Sequence, residues 1–340
     1  MKLKKEILPS ISVIIPCRNE EKYISSCIKS ILKTDYPKNK IEILIIDGMS
    51  TDKTLSIIKS LQNHNRKKQI KLLINKNKTT PHALNLGIKK AKFQFLSRID
   101  AHSTINKSYF SKGIKSLQKT NADSVGGIWL ISTEDSSIIS KSISHSLSNK
   151  FGIGSSSYRL GKNKEKFVDT IPGFFCKKSF LKKIGSFNEG LRRGQDMEYN
   201  IRIKKAGGKI LLNPKMLVFY KARTSTIKFI KHNFLNGTWA IFPFKFSTFI
   251  PVKPRHLIPL AFASTLILLL ILSQLSNIFL TLLVSILSLH IILGVSFSIP
   301  ISIKEGNPIY LILLPIVFLS LHLSYGLGSL YGILKYPFVK

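Results

Sequence analysis

The last 85 residues of this 340-residue chain carry only four charged side chains, Lys304, Glu305, Lys335 and Lys340. A soluble core has no use for that much uninterrupted apolar surface. Within it, residues 257–273, 278–300 and 309–334 form three apolar runs. A helix needs about 20 apolar residues to cross the hydrocarbon of a bilayer. The first run has 17 and relies on Pro251–His256 at the interface. The other 255 residues hold 49 of the 52 Lys and Arg and 16 of the 17 Asp and Glu, a net charge of +33. A basic part ahead of an apolar tail favours an anionic partner at a membrane, either lipid headgroups or a phosphate-bearing substrate. Nucleic acid and a general bias toward Lys, Ile and Asn are the competing readings of the charge. No nucleic-acid motif is present, and nucleic acid is not an expected partner.

Before the tail, residues 224–255 mix Lys228, Lys231, Lys245, Lys253 and Arg255 with Phe229, Phe234, Trp239, Phe242, Phe244, Phe246 and Phe249. Basic and aromatic residues together suit a segment lying on anionic lipid, with a buried soluble helix as the alternative. Lys253 and Arg255 place the preceding part in the cytoplasm by the positive-inside rule. Three spans would then export Lys335 and Lys340, which conflicts with the same rule. Met1–Lys5 imitates the basic start of a signal peptide, but Ile11–Ile15 is too short for its apolar core and reads as a first strand. Cys17, Cys27 and Cys176 form neither a metal-type pair nor a disulfide framework, which fits a reducing compartment.

The first hundred residues alternate strand and helix. Ile11–Ile15 and Ile41–Ile46 are continuous apolar runs, as in strands buried on both faces of a parallel sheet. Ile24, Cys27, Ile28, Ile31 and Leu32 recur at helical spacing between them. Thr51–Leu61 predicts a second helix, Ile70–Ile74 a third strand, Pro81–Ala91 a third helix opened by its proline, and Phe93–Ile99 a fourth strand. Such alternation predicts a doubly wound α/β sheet with its ligand at the carboxyl ends of the strands. Asp47 and Asp100 both fall at such ends. A strand over Ala122–Ile131, a Ser-rich mobile loop to about residue 165, a further element over Phe167–Phe175, and helices over Lys177–Ile184 and Met197–Ala206 complete this part.

The chemistry-bearing stretches are Arg98-Ile99-Asp100-Ala101-His102 and Gly194-Gln195-Asp196. A carboxylate and an imidazole two residues apart can bind a divalent cation beside a diphosphate, and a second carboxylate can take a proton from an acceptor. Each has a plainer alternative. Asp100 could cap a turn, His102 be a loop histidine and Asp196 be a helix N-cap. Asp47-Gly48 could be a turn, and Asp52 could stabilise the start of the next helix.

Six segments in order resemble the family 2 glycosyltransferases of the GT-A fold, in the branch of membrane-anchored enzymes of bacterial exopolysaccharide and succinoglycan assembly. They are Ser12–Glu20, Ile46–Asp52, Ala83–Ile88, Asp100–His102, Gly185–Glu189 and Gly194–Asp196. The resemblance covers roughly residues 10–215 and implies a GT-A catalytic domain over 1–223, an interfacial amphipathic segment over 224–255 and a transmembrane region over 256–340. Its sheet would be Rossmann-like and mixed, flanked by helices.

The resemblance also implies that Asp47 contacts the base of a nucleotide-sugar donor, with Pro16, Arg18, Glu20 and Asp52 in the same pocket and Arg98 beside the phosphates, a surface ion pair being the alternative for Arg98. Asp100 and His102 match the metal-binding Asp-x-Asp, with His in the second place, and imply Mn2+ or Mg2+. Asp196 matches the base of inverting enzymes, with Gln195 where Glu usually stands and Glu198 as a lesser candidate. Arg192 and Arg193 would meet a diphosphate or an acceptor phosphate, or be solvated. The Gln-x-x-Arg-Trp motif of processive synthases is absent, so one sugar or a few are added to a polyprenyl-linked saccharide. Polyprenyl phosphate itself is the alternative acceptor, and a non-catalytic basic membrane-docking protein is the alternative outside enzymes. The expected location is the inner (plasma) membrane, multi-pass, with the catalytic domain cytoplasmic.

Overall fold

The computed structural model describes residues 8–64, 69–133, 135–161, 164–221, 225–247 and 249–339. The basic start Met1–Lys5 and the 223/224 domain boundary read from the sequence lie outside the described residues. Along the chain run β1 (Ile11–Cys17), α1 (Ile24–Leu32), β2 (Ile41–Asp47), α2 (Thr54–His64), β3 (Ile70–Ile74), α3 (Thr80–Lys90), β4 (Phe95–Arg98), β5 (Ser103–Ile105), α4 (Tyr109–Lys119) and β6 (Ser124–Ser132). Next come α5 (Ile138–Ser146), α6 (Lys150–Ile153), α7 (Ser157–Leu160), β7 (Lys166–Val168), β8 (Phe175–Lys177), α8 (Lys178–Ile184), α9 (Gln195–Lys205) and β9 (Ile210–Lys221). The chain closes with α10 (Thr226–Ile241), α11 (Pro243–Phe246), α12 (Ile258–Leu272), α13 (Asn277–Glu305) and α14 (Tyr310–Lys335).

These elements divide into two units. The first comprises the residues up to Leu130 with Gly161–Tyr220. Nine strands among its described residues make one mixed sheet, ordered β3-β2-β1-β4-β8-β6-β9-β5 with β7 on β9. The βαβ half is parallel, with Ile11 opposite Ile41 and Cys17 opposite Asp47. β1 also pairs in parallel with β4, Ile14 opposite Arg98. Since β2 and β4 flank β1 on opposite sides, the chain reverses its winding there, which is where α/β sheets open a crevice at their carboxyl ends. β8 then pairs antiparallel with β4. The strands of the parallel half are sealed because Ile and Val fill both faces: Ile11, Val13, Ile14, Ile15, Ile43, Ile45 and Ile46 have no exposed surface. α4 can lie on β8 only because residue 113 is glycine, where an added Cβ would sit 2.3 Å from the Phe175 ring.

The second unit comprises Ile131–Leu160 with Lys221–Lys340. The stretch read as a mobile Ser-rich loop carries three short helices instead. Ser137 caps α5 by accepting from the Ser140 amide, and Asn149 caps α6 by accepting from Phe151. Ile143 and Leu147, one helical turn apart, join a cluster with Phe229 and Leu321. Serine content hid an apolar stripe. α10 meets α14 backbone to backbone: a Cβ on Gly328 would fall 2.0 Å from the Phe234 carbonyl, and one on Gly237 1.9 Å from that of Tyr325. Small residues at a helix seam permit such approach, as in membrane bundles.

Among the described residues three helices are long and apolar enough to cross a membrane, Pro254–Leu272, Asn277–Glu305 and Tyr310–Phe338. Their outward faces are large aliphatics, with Leu270 56%, Ile292 61% and Ile312 66% exposed. Water would not tolerate that surface and lipid does.

Candidate active site

The site is assembled at the carboxyl ends of β1, β2 and β4 within the first unit. Two loops leave β1 and β2 side by side and are sewn together by short polar side chains. Asn19 donates its amide to Ser50 Oγ and accepts from the Thr51 amide, each at 2.9 Å. The amide of Glu21 donates to Asp52, and Glu21 accepts from the amide of Lys53 at 3.0 Å. Asn19 holds φ at +56° and Met49 at +60°. Asn enters the left-handed region readily, and Met there costs strain that the sewn loops offset. Asp52 accepts from Thr54 at 3.0 Å, which opens α2. Burial pushes its carboxyl up, but the hydrogen bonds from Thr54 and Glu21 hold it below the usual range.

Asp47 is fully buried. Its two oxygens accept from the amide and hydroxyl of Ser50, which closes the turn at Gly48–Ser50. Turn formation and a place at the strand end are thus both realised. Pro16 lies in β1, while the exposed Arg18 runs over Gly48, whose Cβ position is 3.3 Å from Arg18 Cβ. Glu20 reaches across to β4's exit, where His102 Nδ1 meets its Oε1 at 3.0 Å. A carboxylate can only accept, so Nδ1 carries the hydrogen of this contact.

Arg98, the last residue of β4, is buried rather than on the surface. Its Nε donates to Asp100 Oδ1 at 2.9 Å, and its Nη1 donates to Asp196 Oδ1. One guanidinium therefore bridges two carboxylates that lie 96 residues apart in sequence. The balance differs at the two ends. Burial raises Asp100, but Arg98 and His102 outweigh it and hold the carboxyl low. Burial also raises Asp196; Arg98 opposes and the charge on Asp100 reinforces, and Asp196 ends above its ordinary value. A carboxylate kept basic beside a permanent cation suits proton abstraction.

Asp196 is not an N-cap. Gly194 is, in the left-handed conformation at φ +75°, and Asp196 lies inside the first turn of α9. Glu198 is buried and grips Arg202 Nη2 at 2.9 Å, away from Asp196. Arg192 is exposed. Gln195 Oε1 is sealed from solvent without a partner among the described residues.

The sequence reading did not single out Trp129 and Tyr220. Their rings stack at 5.2 Å between centroids, and Tyr220 meets the edge of His102 at 5.2 Å. Tyr220 lies near the end of β9, a strand disguised by Asn213-Pro214, which reads as a turn. Among the described residues no group of three or more His, Cys, Asp or Glu converges as a ready-made metal cage.

A family model described as glycosyl transferase family 2 matches residues 12–185. The chain is 33% identical over 229 residues to the "dolichyl N-acetyl-alpha-D-glucosaminyl phosphate 3-beta-D-2,3-diacetamido-2,3-dideoxy-beta-D-glucuronosyltransferase" of Methanococcus voltae, covering 67% of this chain and 71% of that one. It is 27% identical over 217 residues to the succinoglycan biosynthesis protein ExoA of Rhizobium meliloti, covering 63% of this chain and 64%, just under two thirds, of that protein. In structure it is similar to a mannosyltransferase from Pyrobaculum calidifontis in complex with GDP-Man and Mn2+, at TM-score 0.59 and 15% identity, covering 100% of this chain and 92% of that one. That likeness bears on the fold, a curled mixed sheet of the GT-A kind with long apolar helices after it.

Proposed function

Since the chain belongs to glycosyl transferase family 2, we propose that it moves one sugar from a nucleoside diphosphate sugar to a saccharide carried on a membrane lipid, with inversion. The observation that carries this reading is the Asp100–Arg98–Asp196 bridge at the exit of β4. It sets a diphosphate-side carboxylate and a proton-accepting carboxylate within the span of one guanidinium.

Asp196 takes the hydrogen of the acceptor hydroxyl as that oxygen attacks the anomeric carbon. The new carbon–oxygen bond forms on the face opposite the bond to the β-phosphate, which breaks. The nucleoside diphosphate leaves with the electron pair. Arg98 keeps its charge beside both carboxylates throughout, which steadies Asp196 before the proton arrives. The sewn loops Pro16–Glu20 and Asp47–Asp52 wall the nucleoside pocket, with Arg18 as its exposed cation. Asp47 forms the floor of that pocket, where its two oxygens hold the Gly48–Ser50 turn beneath the base.

Asp100 and His102 fit a divalent cation of the Mn2+ or Mg2+ class. A metal-ligating histidine characteristically donates its other ring N–H to a carboxylate, and His102 does so to Glu20. Two protein ligands suffice where substrate phosphates complete the shell. Such an ion would neutralise charge on the departing diphosphate.

Two relatives support this acceptor: the Methanococcus enzyme is named for a dolichyl phosphate-linked sugar, and the Rhizobium protein for succinoglycan biosynthesis. The three apolar helices would anchor the chain as a multi-pass protein of the plasma membrane, with the catalytic unit on the cytoplasmic side. The test is to feed the purified full chain UDP-, GDP- and dTDP-sugars with a prenyl-diphosphate-linked monosaccharide and Mn2+, then to read the anomeric configuration of the product. One added, inverted sugar is expected. A retained configuration, or a polymer, would overturn the reading.

A further inference from the structure

A second set of polar groups lies wholly in the helical unit and takes no part in the chemistry above. Lys253, Arg255 and His256 immediately precede α12. Arg255 Nη1 lies 3.4 Å from Ser155 Oγ, and its Cδ is 3.6 Å from the Cβ position of Gly154. His256 Nδ1 meets the Tyr325 hydroxyl at 3.1 Å. With that hydroxyl donating, the ring hydrogen lies on Nε2.

Arg255 Nε and His256 Nε2 are both shut off from solvent and have no partner among the described residues. Arg255 thus holds a buried N–H donor without an acceptor, and His256 beside it holds a buried ring nitrogen without a partner, which is a second donor in the tautomer where Tyr325 donates to Nδ1. This is a costly state that proteins retain where a ligand completes it. The carboxylates described in this unit are engaged elsewhere. Asp135 accepts from Ser137, and Glu305 pairs with His145 at 3.4 Å and Lys141 at 3.9 Å.

A site rich in donors and lacking acids takes an oxyanion with several acceptor oxygens. Its position at the head of a membrane-spanning helix selects one attached to a lipid. We propose that Arg255 and His256, with Ser155 beside them, seat the phosphate of a prenyl-phosphate-type lipid. The identity of that lipid rests on the lipid-linked acceptor of the previous section; the seat itself does not.

Binding is measured on the full chain in detergent with no sugar nucleotide present, so failure of transfer and failure of binding remain separate results. The probes are farnesyl phosphate, farnesol and inorganic phosphate. Farnesyl phosphate is expected to bind at least tenfold more tightly than farnesol, and millimolar inorganic phosphate not to displace it. Arg255→Gln should weaken farnesyl phosphate at least tenfold and leave farnesol unchanged, with His256→Gln acting in the same direction. Arg255→Lys, which keeps the charge, should fall between wild type and Arg255→Gln and serves if the latter does not fold. Equal binding of farnesol, displacement by inorganic phosphate at matched concentration, or unchanged affinity in Arg255→Gln and Arg255→Lys would each overturn the proposal.

Discussion

Replacing Arg98 by Gln removes the buried guanidinium that bridges two half-buried carboxylates. In the wild type the side chain is 5% exposed, against 17% for Asp100 and 28% for Asp196. Removing one member of a buried ion pair costs about 3–5 kcal/mol, because the partner is left charged and unpaired. Here two partners are stranded, but both keep some water, so the lower end, about 3 kcal/mol, is the expected loss near neutral pH. For a unit of this size that corresponds to roughly 6–12 °C in melting temperature.

The loss has a pH signature. Without Arg98, burial dominates at both carboxyls and their folded pKa values rise above the unfolded value of about 3.9. The folded variant then binds more protons than its unfolded chain, so its stability falls as pH rises and recovers as pH drops toward that value. The wild-type Asp100, held low, behaves oppositely and loses stability only as pH falls through its depressed pKa. The gap between the two proteins should be widest near pH 7–8 and close toward about pH 4–5. Adding Asp196→Asn to Arg98→Gln should restore part of the loss. Thermal unfolding of the full chain in detergent across that range is the assay. A deficit below about 1 kcal/mol, the value of an exposed pair, or one that does not vary with pH, would refute the bridging role.

Two further substitutions separate neighbouring roles. Glu198→Gln breaks the buried pair with Arg202 and should lower the melting temperature by several degrees while turnover per folded molecule stays near wild type, measured by calorimetry and initial rates on one preparation. Gly328→Val drives a Cβ into the Phe234 carbonyl at a seam with no room to yield; overpacking of this kind costs about 1–3 kcal/mol or more, read as loss of monodisperse protein on heating in detergent.

Much of the first unit was legible because its strands are unbroken Ile and Val runs and its helices carry 3.6-residue periodicity. β1, β2 and β3 fall where Ile11–Ile15, Ile41–Ile46 and Ile70–Ile74 predict them. What stayed hidden did so for identifiable reasons. β9 contains Asn213-Pro214, a turn signal overridden by pairing with β5 and β7 on either side of it. α5 is short and serine-rich, and its apolar stripe, Ile143 with Leu147 just beyond its end, has meaning only against Phe229 and Leu321, far away in sequence.

Arg98, Asp100 and Asp196 each stood out in the sequence, but the bridge that joins them did not. Nothing local to Arg98 says that its second partner lies beyond β8. The sewing of the two loops by Asn19, Glu21, Ser50 and Asp52 is likewise a tertiary fact, invisible in either loop's own sequence.

The most direct test of the account is the rate of sugar transfer by Asp196→Asn beside its donor affinity. General-base catalysis is worth about 10²–10⁴ in rate. Transfer should therefore fall by at least about 100-fold, with the donor dissociation constant within about threefold of wild type. Turnover near the wild-type rate in a folded, donor-binding variant would contradict the assignment of the proton acceptor.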